Sequence, residues 1–132
     1  MSRQYRLLLV EDEPLILMDL EFAAEDRGCE VHSATSSAHA LDILDEAPGG
    51  IDAAVLDVSL GQGETCFPIA DALRERGIPF ILHSGDLDRH DEHIRSLNAA
   101  LIAKPAAAEK VIGAAIAHAE SGETDQFRLA AE

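Results

Sequence analysis

A chain of 132 residues fits one domain and can bury a core without disulfide or metal staples. Its composition, 47% hydrophobic and 27% charged, excludes wholesale disorder. A formal net charge of −15 argues against nucleic acid or an anionic membrane surface as a direct partner, because both attract basic surfaces.

Four Phe, one Tyr and no Trp leave the core to Leu, Ile, Val and Ala. Residues 5–10 (YRLLLV) form an apolar run too short for a self-burying helix, and predict a first strand. Pro14 suits a helix start, and Ile16, Leu20, Ala23 and Ala24 share one face until Gly28 offers a stop. Residues 30–34 (EVHSA) read weakly as a second strand, and Ser36 or Ser37 can cap a helix running to Ala47. Residues 53–56 are a third strand ending near Asp57, followed by a helix over 67–76 closed by Gly77. A fourth strand over 79–83 (PFILH) leads to a helix over 88–97, with Leu87, Ile94 and Leu97 available for its inner face. A short fifth strand, 100–103, precedes a last helix over 107–119 with Val111, Ile112, Ala115, Ile116 and Ala119 on one side. Residues 1–119 are thus expected to form the domain, and 120–132 an acidic, frayed tail.

Five strands alternating with five helices imply right-handed βα crossovers and a parallel sheet covered on both faces. The expected class is α/β, a three-layer flavodoxin-like (βα)5 fold with strand order 2-1-3-4-5 and a crevice at the carboxyl ends of strands 1 and 3. Glu11 and Asp12 end strand 1, Asp57 ends strand 3, Ser84 ends strand 4, and Lys104 with Pro105 ends strand 5. Three carboxylates so close raise one another's pKa unless a cation intervenes, and a hard ion such as Mg²⁺ satisfies such oxygen donors. An open coordination position facing Lys104 and Ser84 is what a transferring phosphoryl group requires.

The ordered set "VEDEP", "VLDVSLG", "HSG" and "AKP" at the ends of strands 1, 3, 4 and 5 resembles a response-regulator receiver (CheY-like) domain of the stand-alone type, over residues 5 to about 119. The resemblance implies two-component phosphorelay signalling, with Asp57 as phosphoacceptor for a sensor histidine kinase or histidine phosphotransfer protein. It implies Mg²⁺ held by Glu11, Asp12, Asp57 and the main-chain carbonyl of Ser59, with Ser84 and Lys104 on phosphoryl oxygens. It also implies a cis Lys104–Pro105 peptide, a non-enzymatic signalling role, and output by protein contact through the face spanning residues 84–119 or by phosphate relay. A cytoplasmic location is expected, with no nucleic acid or membrane as partner. Leu101 stands where receivers carry Tyr or Phe, Ala106 where Phe is frequent, and Gly85 where Ala is frequent.

Other readings compete. A receiver-like module could bind partners without phosphorylation. An aspartyl-phosphate phosphohydrolase normally needs a second Asp two residues after its nucleophile, where this chain has Ser59. A nucleotide or flavin binder would find the loop "EDEP" acidic and glycine-free. His83, His90 and His93 amid Asp86, Asp88 and Asp91 are spaced too loosely for a transition-metal site. Cys29 and Cys66 form no CxxC, and nothing near Cys66 in sequence lowers its pKa.

Overall fold

The computed structural model describes residues 4–47, 50–85, 92–97 and 99–131, without the side chains of residues 93 and 122–131. Its elements alternate: β1 Arg6–Val10, α1 Pro14–Asp26, β2 Glu30–Ala34, α2 Ser37–Glu46, β3 Ala53–Asp57, α3 Phe67–Glu75, β4 Phe80–Ser84, α4 Glu92–Ser96, β5 Ala100–Ala103 and α5 Ala108–Ala131. The strands form one parallel sheet in the expected order β2-β1-β3-β4-β5.

The apolar runs at the centre of the sheet are buried on both faces. Leu8, Val10, Ala54, Leu56 and Leu82 point into one layer with Leu44, Ile69 and Leu73, whereas Leu7, Leu9, Val55 and Ile81 point into the other with Leu20, Val111 and Ile112. Successive strand residues alternate sides, so an unbroken apolar run is the pattern that a two-faced buried strand requires. Replacing one of these leucines with Ala would cost about 2–5 kcal/mol. β2 lies at an edge and is mostly half-buried, which explains its weak sequence signal.

Pro14 opens α1, and Gly28 ends it at φ +78°, where its amide and that of Cys29 bond back to Glu25 and Ala24. Ser36 caps α2 by accepting the His39 amide. On α1 the inner face carries the expected residues and one more. Leu17 joins Leu20, Ala23 and Ala24 in the core, while Ile16 is only half-buried beside α5. Opposite that face, Leu15, Met18 and Phe22 are 73%, 41% and 58% exposed. α5 runs from Ala108 to Ala131. Ile94 and Leu97 are buried as expected, whereas Leu87 and residues 88–91 of the helix expected there lie outside the described residues. Neither Cys29 nor Cys66 is in a disulfide, and both are buried.

Candidate functional site

The parallel register delivers the candidate residues to one edge of the sheet. β1 and β3 pair as far as Val10 with Leu56, so Glu11, Asp12 and Asp57 all emerge at the same level. Asp57 pairs with His83, and Ser84 pairs with Ala103, which carries Lys104 in after it. The Lys104 amide donates to the Ser84 carbonyl at 2.8 Å, extending the ladder one residue past β5. The Lys104–Pro105 peptide is cis, as the resemblance implied.

Carboxylate oxygens of Glu11, Asp12 and Asp57 lie within 4.8 Å of one another. Glu11 is 1% and Asp57 5% exposed, with Asp12 half-buried. Lys104 Nζ answers two of them, at 3.0 Å from Glu11 Oε1 and 3.4 Å from Asp57 Oδ2. The Glu11 contact is an ion pair without hydrogen-bond alignment, so Oε1 has no hydrogen-bond partner among the described residues. Glu11 Oε2 accepts the Glu13 amide.

One ammonium does not balance three acids. Burial, the neighbouring Glu11 carboxylate and then Asp12 push the Asp57 carboxyl up to about 9, with Lys104 pulling the other way. For Lys104, burial works to lower its pKa, but Glu11 and Asp57 outweigh it and the pKa is raised. The deficit of positive charge, the all-oxygen donor set and the hydrogen-bond-free Glu11 Oε1 fit a hard divalent cation such as Mg²⁺.

Ser84 is fully buried at the end of β4, with its hydroxyl donating a long bond of 3.4 Å to the Gly85 carbonyl. Ser59 lies exposed two residues past Asp57 and bridges to Thr65. That bridge belongs to a tight loop in which Leu60 and Cys66 donate to Glu64 and Val58 carbonyls.

Two features of this loop escape motif reading. Gly61 sits at φ +83°, and a Cβ there would come within 3.2 Å of Asp12 Oδ2. The loop backbone therefore lies against the acid, and any side chain at position 61 would be strained by its φ and would press on Asp12. Glu64 accepts both the amide and the hydroxyl of Ser37, each at 2.6 Å, which ties the loop to the start of α2. The only sequence signal for either was the turn-forming run "GQGE".

Of the histidines considered for a metal, His83 is buried and faces α1 and α5. His90 and the side chain of His93 lie outside the described residues. Among the described residues the one cluster able to hold a metal is Glu11, Asp12 and Asp57. Leu101 is half-buried and packs against the core layer of Leu82, and no aromatic ring takes its place in the strand.

No family model matches the chain. SdrG from Sphingomonas melonis Fr1, known from its solution structure, is 37% identical, with a TM-score of 0.73 over 90% of this chain and 98% of its own. A response regulator receiver protein from Sinorhizobium medicae WSM419 is 25% identical, with a TM-score of 0.76 over 91% of this chain and 98% of its own. The chain belongs to the response-regulator receiver family. A segment of the sensor kinase CckA from Brucella abortus (strain 2308) is 41% identical over 58 residues, 44% of this receiver and 6% of the kinase. The receiver thus spans a small fraction of that curated relative, and the similarity associates it with two-component signalling. No helix among its described residues is long and apolar enough to cross a membrane.

Proposed function

We propose that this receiver is a phosphoacceptor in a two-component phosphorelay, taking a phosphoryl group onto Asp57 from the phosphohistidine of a sensor histidine kinase or a histidine phosphotransfer protein. The observation that carries the reading is Asp57 itself. It is a nearly buried carboxylate ending a fully buried strand, crowded by two acids and met at 3.4 Å by Lys104 Nζ.

In the transfer, an Asp57 carboxylate oxygen forms a bond to phosphorus as the phosphorus–nitrogen bond breaks. The electron pair leaves with the imidazole nitrogen, which takes up a proton. Lys104 Nζ, 3.0 Å from Glu11 Oε1 and 3.4 Å from Asp57 Oδ2, would turn an N–H to an incoming phosphoryl oxygen, and the Ser84 hydroxyl would take another. Glu11, Asp12, Asp57 and the Ser59 carbonyl would hold Mg²⁺, which when bound neutralises the charge gathering there. Ser59 occupies the place where a phosphohydrolase would keep a second acid, so the chain accepts phosphate rather than turning over free phosphate esters.

The exposed stripe Leu15, Met18 and Phe22 begins just after Asp12 and offers apolar contact area to the protein that brings the phosphohistidine. Acidic Glu13 at its N-cap and Asp19 and Glu25 on the same helix favour a partner with a basic rim. Output would pass through the face of α4, β5 and α5, whose roots carry Ser84 and Lys104, in the cytoplasm.

The test is incubation with Mg²⁺ and a small phosphodonor, read by intact mass. The wild type should gain one phosphoryl group and Asp57→Asn none. Equal gain by the variant at the same rate would overturn the assignment of Asp57.

A further inference from the structure

The loop after β3 holds a shape that its own backbone does not favour. At its tip Gly61, Gln62 and Gly63 all sit at positive φ, +83°, +53° and +77°, and Gln62 carries an L side chain in the left-handed region. Such a conformation persists where surrounding contacts over-determine it. Three backbone bonds of 2.9 Å close the loop on itself: the Leu60 amide donates to the Glu64 carbonyl, Glu64 to Gly61, and Cys66 to Val58. They make residues 58–66 one unit, but they do not fix where that unit lies against the rest of the molecule.

Glu64 supplies a fixing point outside the loop. Ser37 is the first residue of α2, and an amide at that position has no partner within its own helix. The Ser36 cap serves the His39 amide instead. Glu64 Oε1 accepts both the Ser37 amide and the Ser37 hydroxyl at 2.6 Å, and its charge meets the favourable end of the helix dipole. The two bonds hold the Glu64 carboxyl below its ordinary pKa. Ala40 and Leu44 seat α2 in the core, so a bond to Ser37 anchors the loop to a fixed element.

The same loop borders the acids. The Gly61 backbone lies against Asp12, and Ser59 pairs across the loop with Thr65, the neighbour of Glu64. Any displacement of Glu64 therefore passes through the Leu60–Glu64 bond and the Ser59–Thr65 bridge to both places.

We propose that Glu64 is a positioning residue of the cation site: by gripping Ser37 it keeps the Gly61 backbone against Asp12 and the Ser59 carbonyl available to the ion, and so raises the affinity for Mg²⁺. This role rests on the reading of Glu11, Asp12 and Asp57 as a Mg²⁺ site. The Glu64 carboxylate is itself engaged with Ser37, so it acts through the loop and not as a ligand.

Calorimetric titration of Mg²⁺ into the full chain tests it. Glu64→Ala should weaken binding about tenfold, as when an untied loop spends about a tenth of its time in the binding arrangement. Glu64→Gln removes the charge but keeps an oxygen that accepts both Ser37 donors, and should stay within about twofold of wild type. Ser37→Ala, which changes no charge and leaves one of the two bonds, should weaken binding about threefold, and should add nothing further to Glu64→Ala. In metal-free protein, hydrogen exchange at the Leu60, Glu64 and Cys66 amides should quicken about tenfold in Glu64→Ala, while Leu9 and Val55 keep their protection. Should that variant disturb folding, Ser37→Ala carries the same test with a smaller effect. Wild-type affinity in both Glu64→Ala and Ser37→Ala would overturn the role of Glu64, as would an equal loss in Glu64→Gln, which would make the effect one of charge. Unchanged loop exchange in a folded Glu64→Ala would overturn the tie. No Mg²⁺ binding by the wild type would instead overturn the cation reading, and this role with it.

Discussion

Replacing Asp57 with Asn should make the metal-free protein more stable while abolishing phosphoacceptance. In a medium of effective dielectric about 20, two like charges within 4.8 Å of each other repel by about 3.5 kcal/mol or more. An ionised Asp57 faces two such neighbours, Glu11 and Asp12, so about 7 kcal/mol of repulsion opposes about 5 kcal/mol of attraction from Lys104 at 3.4 Å. The remainder, about 2 kcal/mol before desolvation, disfavours the ionised form, so the folded metal-free protein keeps Asp57 protonated, and the uncharged amide is spared the cost of that protonation, about 2 kcal/mol near pH 5 and rising with pH. For a domain of this size that corresponds to a rise in melting temperature of about 8 °C. The pH dependence carries the same sign. The unfolded chain releases the Asp57 proton at its ordinary value, whereas the folded protein retains it up to about 9. Between those values the folded state binds more protons, so wild-type stability without metal falls as pH rises, and this contribution is absent from Asp57→Asn. Thermal and urea unfolding in EDTA across pH 5–8 measures both effects. Adding millimolar Mg²⁺ should then stabilise the wild type more than the variant, because a ligand that binds only the folded state raises its stability in proportion to the logarithm of occupancy. An Asp57→Asn variant no more stable than the wild type in EDTA would refute the electrostatic reasoning. Equal stabilisation of both proteins by Mg²⁺ would refute the placement of the cation.

Two further substitutions separate the parts of the site. Gly61→Ala places a methyl group 3.2 Å from Asp12 Oδ2 and puts an L side chain at φ +83°, so Mg²⁺ affinity by calorimetric titration should fall roughly fivefold at a stability cost of about 1–2 kcal/mol. Affinity unchanged in a variant that folds would mean that the loop does not position Asp12. Phe22→Ala removes an exposed ring at little cost in stability, and should slow phosphotransfer from a phosphorylated histidine kinase about tenfold while leaving the rate with a small phosphodonor within about twofold. An equal loss with both donors would place the effect inside the site, and no loss with either would remove the stripe from the docking surface.

Much of the architecture was legible because it is written in short-range patterns. The apolar runs of β1, β3 and β4 are continuous since both sheet faces are covered, and the alternation of these runs with helices led directly to the strand order. The acids, Ser84 and Lys104 were legible for the same reason, because each ends a strand and the parallel sheet brings strand ends together. What remained hidden depends on orientation or on distant pairing. That Leu17 is buried while Ile16 packs at the half-buried margin is a matter of about 100° around α1, and turns on how α5 packs. The bond from Glu64 to Ser37 joins residues 27 apart through a loop whose turn was visible but whose partner was not. His83 read as a loose member of a histidine cluster; its register opposite Asp57 turns it instead into the layer beneath α1 and α5.

The two native cysteines have a practical consequence. Cys66 is 0% and Cys29 7% exposed, one in each core layer, and these are the only thiols in the chain. Burial raises the Cys29 pKa, which further suppresses its thiolate. Maleimide and spin-label reagents act on exposed thiolate, so a single cysteine introduced on the outer side of α5 or at the tip of α1 becomes the preferred attachment point without removal of the native pair. Distances between such labels, recorded before and after phosphoryl transfer, would report movement of the two faces in the otherwise wild-type protein.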